Sequence, residues 1–213
     1  GEFKKIGEIM EKKFRKPVSE MFLPDILDGE GDIIPIIADG DDGDLEDVEV
    51  PEAIPILSLR NTVLFPGVVL PISIGRPKSI QLIKDAYRND KIVGTIAQMD
   101  PDIENPNFHD LHSIGTIGQI VKLLEMPDGS TTAIIQGRKR MALNELVSDD
   151  PYFIAKVRTI PEIKPEILSK DFDAIVGSLR DLSLKIIKIN PNISPEASFA
   201  IKNIENNTYL INF

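Results

Sequence analysis

Cysteine and tryptophan are absent from this 213-residue chain, and aromatic side chains make up only 6% of it. Without cysteine there can be no disulfide, no zinc–thiolate or iron–sulfur site and no cysteine nucleophile. Histidine is nearly absent as well. Only His109 and His112 occur, with Asp110 between them in a polar stretch. Their spacing is too tight for the H-x₃₋₅-H half of a zinc finger, so we read them as solvated loop imidazoles. No run of about 18 apolar residues exists, so no helical membrane span is expected. The N-terminus shows no charged-then-apolar leader, which argues against secretion and for a cytoplasmic location. The chain starts Gly1-Glu2-Phe3 rather than with Met, as a cloning remnant does.

Catalytic and nucleotide-binding signatures are missing too. There is no G-x-S-x-G elbow to present a serine and no G-x-x-x-x-G-K-[ST] phosphate cradle. Gly115-x-x-Gly118 lacks the third glycine of a dinucleotide fingerprint; glycines within a strand more often mark a bulge or corner. Asn206-Asn207-Thr208 fits a glycosylation sequon, but the chain offers no secretory route. The expectation is a chain without catalytic residues, metal site or cofactor of its own.

What the sequence does hold is a normal share of core-forming material. Hydrophobic residues are 42% and charged residues 27%, values of a globular chain long enough for one or two domains. The net charge of −10 is concentrated in one place. Twelve Asp and Glu, and no Lys or Arg, lie between Asp25 and Glu52. Residues 1–24 carry +2, and 53–213 are neutral with 18 charges of each sign. The acidic segment, centred on Ala38-Asp39-Gly40-Asp41-Asp42-Gly43-Asp44, self-repels and reads as a disordered tether. Asp39, Asp41 and Asp44 loosely match a calcium loop. However, Gly43 falls on a ligand position, and Ile33-Ile34-Pro35 provides no preceding helix.

Periodicity divides the rest. Ile6, Ile9, Met10 and Phe14 have helical spacing. From about 54 to 160 the pattern is β: Ile54–Leu59, Val68–Ile74, Lys91–Met99, Ile114–Glu125, Thr131–Gln136, Met141–Val147 and Tyr152–Thr159, with a turn at Pro127-Asp128-Gly129-Ser130. Pro55 and Pro71 favour edge positions or strand starts, since proline donates no ladder hydrogen bond. One helix interrupts the strands. It opens at Arg76-Pro77-Lys78 and buries Ile80, Ile83 and Tyr87. Asp100–His112 is a loop. After Pro165 the period becomes helical through Leu168, Phe172, Ile175, Val176, Leu179, Leu182 and Ile186, stopping at Asn190-Pro191. Ser194-Pro195 starts a second helix toward Ile204. Tyr209, Leu210 and Phe213 begin a third apolar stripe, so the chain reads as part of something longer. Arg138-Lys139-Arg140 is the one dense basic cluster. It lacks interleaved aromatics for base stacking and reads as a solvated loop or strand edge.

The expected fold is α+β: a small antiparallel β-barrel followed by an α-helical bundle segment. The expected domains are an amphipathic and acidic stretch at 1–52, the β domain at 53–162, and truncated helices at 163–213.

One stretch is recognisable. Ile54-Pro55-Ile56-Leu57-Ser58-Leu59-Arg60-Asn61-Thr62-Val63-Leu64-Phe65-Pro66-Gly67, then Leu70-Pro71-Ile72-Ser73-Ile74-Gly75-Arg76-Pro77-Lys78-Ser79-Ile80, closely resembles the amino-terminal domain of Lon proteases. The likeness continues through Gly115–Ile120, the Pro-Asp-Gly hairpin and Gly137-Arg138-Lys139-Arg140, and covers about 53–213. It implies a PUA-like barrel and a longer parent, an ATP-dependent serine protease assembled as a homohexamer. That parent would use ATP and Mg in an AAA+ module and a Ser-Lys dyad in a protease domain, none of which match positions here. The implied role of this part is to recognise unfolded or misfolded protein substrates. A receptor for such chains needs shallow apolar surface with a polar rim. Leu64, Phe65, Arg76, Pro77 and Lys78 are the candidate substrate-binding residues, against the plainer possibility that Leu64 and Phe65 only plug the barrel end. A PUA-like RNA-binding module and a purely structural, hexamer-assembling role are the alternatives. Membrane and nucleic-acid partners are not expected.

Overall fold

A computed structural model describes residues 36–37, 49–125, 130–163, 170–191, 193 and 196–213. The expected helix at 4–15, most of the acidic stretch and the Pro127-Asp128-Gly129 turn lie outside these residues. The described residues form two compact units, one running to Pro161 and one that comprises the short strand Ile36–Ile37 and the residues from Glu162 onward.

The first unit contains six strands and one helix: β1 (Ala53–Leu59), β2 (Val68–Ile74), α1 (Pro77–Arg88), β3 (Ile92–Ala97), β4 (Ile114–Glu125), β5 (Thr131–Ser148) and β6 (Ile154–Ile160). The hydrogen-bonded order is β2-β5-β4-β3-β1-β6, and β6 also pairs with β5. The ladder therefore returns on itself through five strands, with β2 attached to the first half of β5. All pairs in this unit are antiparallel except β1 with β3. That parallel pair requires a crossover, which β2 and α1 supply.

The separate strands expected at Thr131–Gln136 and Met141–Val147 are one continuous eighteen-residue strand. Gly137-Arg138-Lys139-Arg140 looks like a break because charges and glycine interrupt the apolar run. In the structure Gly137 opposes Gly118 and Lys139 opposes Ile117, so β4 carries the ladder straight through. The basic cluster is thus mid-strand and half-buried rather than a solvated loop. The glycines Gly115 and Gly118 flank a register shift between Ile117 and Gly118, the bulge their presence in a strand predicts.

Two apolar clusters fill the unit. Ile54, Ile56, Ile96, Ile117, Met141 and Ala155 belong to one that draws on all five strands of the closed circuit. Leu57, Leu59, Ile72, Val93, Ile120 and Ile135 form the other, together with Leu82, Ile83 and Ala86 of α1. Odd and even positions of β1 go to different clusters, as the two-residue side-chain period requires. Because both faces are covered, β3 is buried from Ile92 to Ile96. Side chains of this size contribute about 1.5–3 kcal/mol each on burial. The buried stripe of α1 is Leu82, Ile83 and Ala86, with Ile80 and Tyr87 at its margin. Pro77 opens the helix at its first turn, and Pro55 lies where β1 pairs with β6 before its pairing with β3 begins at Ile56.

In the second unit α2 (Lys170–Ile189), α3 (Glu196–Asn203) and α4 (Asn207–Asn212) share a small cluster of Val176, Ile201 and Leu210. Arg180 of α2 donates to the carbonyls of Ile201 and Ile204, satisfying the C-terminal end of α3. Asn206 caps α4 by accepting from the Thr208 and Tyr209 amides at 2.9 and 3.2 Å. Leu168 and Ser194-Pro195, expected at helix starts, lie outside the described residues. The whole is a mixed α+β chain with a six-stranded sheet; a helical bundle is not evident among the described residues.

Candidate functional site

The segment from Arg60 to Gly67 joins β1 to β2, and its path is dictated from both sides. Asn61 and Gly67 have positive φ angles of 51° and 81°, which asparagine and glycine tolerate best. The Thr116 hydroxyl donates to the Leu64 carbonyl at 2.6 Å. The Gly67 amide donates to the Gly137 carbonyl at 2.9 Å. A Cβ on Gly137 would meet the Phe65 carbonyl oxygen, so only glycine lets the loop lie this close to β5.

The loop splits its two candidate residues. Leu64 points inward, 2% exposed, into the cluster with Ile120 and Ile135. A Cβ on Gly118 would sit 2.5 Å from Ile135 Cγ2 and 3.3 Å from a Leu64 methyl group, so that glycine makes room for both side chains. Phe65 points outward, with the Arg140 guanidinium 5.9 Å from its ring centroid, a cation–π distance.

Beside Phe65 lies a cleft of about 300 Å³. Val63, Phe65 and Ile114 are its exposed apolar walls. Leu59, Leu64, Thr95 and Gly115 line it more deeply, and His112, Ser113 and Arg140 supply polar atoms at its edge. Thr95 is held by donating its hydroxyl to the Thr116 carbonyl at 2.9 Å. Three elements therefore converge here: the β1–β2 loop, the start of β4 and the middle of β5. Such a surface suits apolar side chains with adjacent backbone amides. It carries no acid–base pair and no nucleophile positioned against a base.

Arg76, Pro77 and Lys78 are elsewhere. Arg76 occupies the N-cap position of α1, and its guanidinium donates to Ser58 Oγ at 2.8 Å and Gln98 Oε1 at 2.5 Å. Burial, with Arg60 nearby, lowers its pKa. Gln98 is itself buried and donates to the carbonyls of Asp100 and Ile103, so Arg76 helps set the path of the 98–112 loop. Pro77 lines a separate shallow hollow of about 530 Å³ with Ile80, Gln81, Lys84, Asp85 and Arg88. Lys78 is exposed. Only Phe65 and Leu64 of the five thus belong to the cleft. Val63, His112, Ile114 and Arg140 were not legible as parts of it, because strand register alone brings residues 63, 114 and 140 together.

His109 and His112 are both exposed. Among the described residues no group of three or more His, Asp or Glu could hold a metal ion. No helix among them is long and apolar enough to cross a membrane.

Residues 53–213 match the family described as the ATP-dependent protease La (LON) substrate-binding domain. The chain is 47% identical over 187 residues to a Lon protease of Flavobacterium johnsoniae, covering 88% of this chain and 23% of that protein. It is 43% identical over 192 residues to a Lon protease of Parabacteroides distasonis, covering 89% and 23%. It therefore spans about a quarter of the length of these relatives. Among solved structures it is similar to the N-terminal domain of a Mycobacterium avium complex Lon protease, with a TM-score of 0.60 at 18% identity over 75% of this chain and 80% of that one. A Lon N-terminal domain protein from Xanthomonas campestris is similar with a TM-score of 0.50 at 14% identity, over 75% and 94%. The fold and the sequence lead to one conclusion: the chain belongs to the Lon protease family, as its N-terminal substrate-binding domain.

Proposed function

We propose that this chain recognises and holds unfolded or misfolded protein segments for a cytoplasmic, ATP-dependent Lon-type serine protease. The observation that carries this reading is the cleft beside Phe65, an exposed apolar surface with hydrogen-bonding groups at its edge. Folded proteins hide apolar side chains and pair their backbone; unfolded ones offer both. Phe65, Val63 and Ile114 take the apolar side chain, while Leu64 anchors the loop from beneath. Pro77 and Lys78 offer a second, weaker contact on α1, and Arg76 shapes the surface between. We read the closed ladder of the first unit as a PUA-like barrel serving as the rigid frame of this receptor.

The hydrolytic steps belong to the rest of the parent chain. In this reading ATP and Mg belong to the parent's AAA+ module, since the G-x-x-x-x-G-K-[ST] phosphate cradle is missing from this sequence. A homohexameric parent would repeat the cleft around a ring, and linked weak sites gain by effective concentration.

The test is photo-cross-linking of the 213-residue chain to an unfolded apolar peptide. Labels at Val63, Phe65 and Ile114, reduced several-fold in Phe65→Ala with folding intact, are expected. Labels confined to residues outside 53–162 overturn the reading. So does retention of RNA with a steep salt dependence and no peptide capture.

A further inference from the structure

We propose that the cleft beside Phe65 selects apolar segments that carry an aspartate or glutamate within about three residues of the inserted side chain, read by Arg140 and Arg158. This rests on the receptor role proposed for the cleft and names the class of segment it prefers.

Strand register builds the surface. Residues directly opposite each other on paired strands project from the same face of the sheet. Ile114 of β4 stands opposite Ala142 of β5, and Ala142 stands opposite Arg158 of β6. One row along, Thr116 stands opposite Arg140, and Arg140 opposite Ile160. The intervening residues point the other way: Leu143 and Val157 oppose each other and pack with Met141 in the buried cluster. The outer face therefore continues from the cleft across β5 to β6, with both arginines on it. Arg140 is half-buried at the cleft and Arg158 is exposed.

The charges on this face are sorted. Among the described residues that line the cleft none is Asp or Glu. Lys156 lies two residues from Arg158 on the same face of β6, and Glu145 and Glu52 stand 3.3 and 3.7 Å from its ammonium. Glu145 first, and then Glu52, raise the Lys156 pKa, so these carboxylates are matched by that lysine rather than by the arginines. Residues 53–213 are neutral as a whole, and attraction between exposed charges fades beyond about 10 Å. The sign beside the cleft is therefore set by the arginines on the spot.

The dimensions set the spacing. Adjacent strands are about 4.8 Å apart, which puts Arg158 about 10 Å from Ile114 across the sheet. An extended peptide advances about 3.3 Å per residue. A segment whose apolar side chain enters beside Phe65 thus passes Arg140 with its next residue or two and reaches Arg158 by the third. Guanidinium forks match carboxylates in shape as well as charge. A nucleic-acid strand is the poorer occupant, because Phe65 is the one phenyl ring in the cleft and successive bases find no stacking platform.

Fluorescence anisotropy of the 213-residue chain with labelled unfolded peptides tests this. The peptides share a leucine-containing core and carry Asp, Asn or Lys at the third residue beyond it. At low salt the Asp peptide should bind about threefold to fivefold tighter than the Asn peptide, and the Lys peptide weaker than both. In about 0.5 M salt the differences should shrink below about twofold. Arg158→Glu, at an exposed position, should narrow the gap between the Asp and Lys peptides by about threefold or more, with the circular dichroism retained. Equal affinity for all three peptides overturns the charge selection and leaves the receptor role standing; binding of none overturns the receptor role itself. A gap that Arg158→Glu leaves unchanged overturns the assignment to these arginines. Tighter binding of a single-stranded oligonucleotide than of any peptide gives the face to phosphates instead.

Discussion

Leu64 and Phe65 are adjacent in sequence and similar in hydrophobicity, yet they do opposite things. Truncating Leu64 to Ala leaves a hole beside Ile120 and Ile135 and should cost about 2–5 kcal/mol of unfolding free energy. Truncating Phe65 removes a ring that already meets solvent, and should cost less than about 1.5 kcal/mol while weakening peptide capture. Urea midpoints on the two variants separate the roles. The same contrast divides Arg76 from Lys78. Arg76→Ala strips a donor from buried Gln98 and from Ser58 and should cost about 1–3 kcal/mol. Lys78→Glu places the first acidic side chain in the opening turn of α1 and should stabilise the helix by about 0.3–1 kcal/mol through its dipole. Equal losses in both would remove the structural role assigned to Arg76. The inward–outward choice at 64 and 65 was not legible in the sequence, where both residues sit in one apolar run. It is settled by Thr116 and Gly137 gripping the backbone on either side.

At the level of elements, the strands and helices follow local signals closely, and the departures have identifiable causes. The helix opening at Pro77 is where its proline puts it, and α4 begins after the Asn206 cap. The misread element is β5. Its charged centre reads as a loop or strand edge, but its pairing partner β4 continues past it, with a register shift between Ile117 and Gly118 in place of a break. Gly137 is the point on which this depends. Gly137→Ala forces a Cβ into the Phe65 carbonyl, a backbone atom that cannot swing aside, and should cost about 1–3 kcal/mol or more. Chemical denaturation would show it; a variant as stable as the parent chain would mean the loop rides further from β5. The register shift at Ile117 and Gly118 lies in the same region, where Arg138 of β5 is the residue passed over, and Ile114 and Phe65 line one cleft.

Across the first unit as a whole, α1 is tied to the strand circuit by its apolar stripe, by Arg76 at its N-cap, by the Lys84–Glu125 ion pair and by a contact from Tyr152. The Tyr152 hydroxyl, in the segment before β6, donates to Asp85 Oδ2 of α1 at 3.2 Å. Burial first, and then the charge of Asp85, raise its pKa above the ordinary 10.0. The folded state therefore holds this proton more tightly than the unfolded chain does. The contribution is fully present below about pH 10 and is lost as pH rises through the folded value. Urea midpoints should fall on the alkaline side, and Tyr152→Phe should flatten that fall while costing about 0.5–1.5 kcal/mol at neutral pH. An alkaline slope unchanged in Tyr152→Phe would assign it to other groups.

The sequence alone placed most of the strands and helices among the described residues, because side-chain period, proline and glycine act over a few residues. It also carried the family likeness, through the ordered run from Ile54 to Ile80. Only the tertiary structure decided that β1 runs parallel to β3, that β5 is unbroken, and that Val63, Phe65, Ile114 and Arg140 meet around one cleft. Those outcomes depend on strand register between segments well separated in sequence, and register is a property of the paired strands together rather than of either one read by itself.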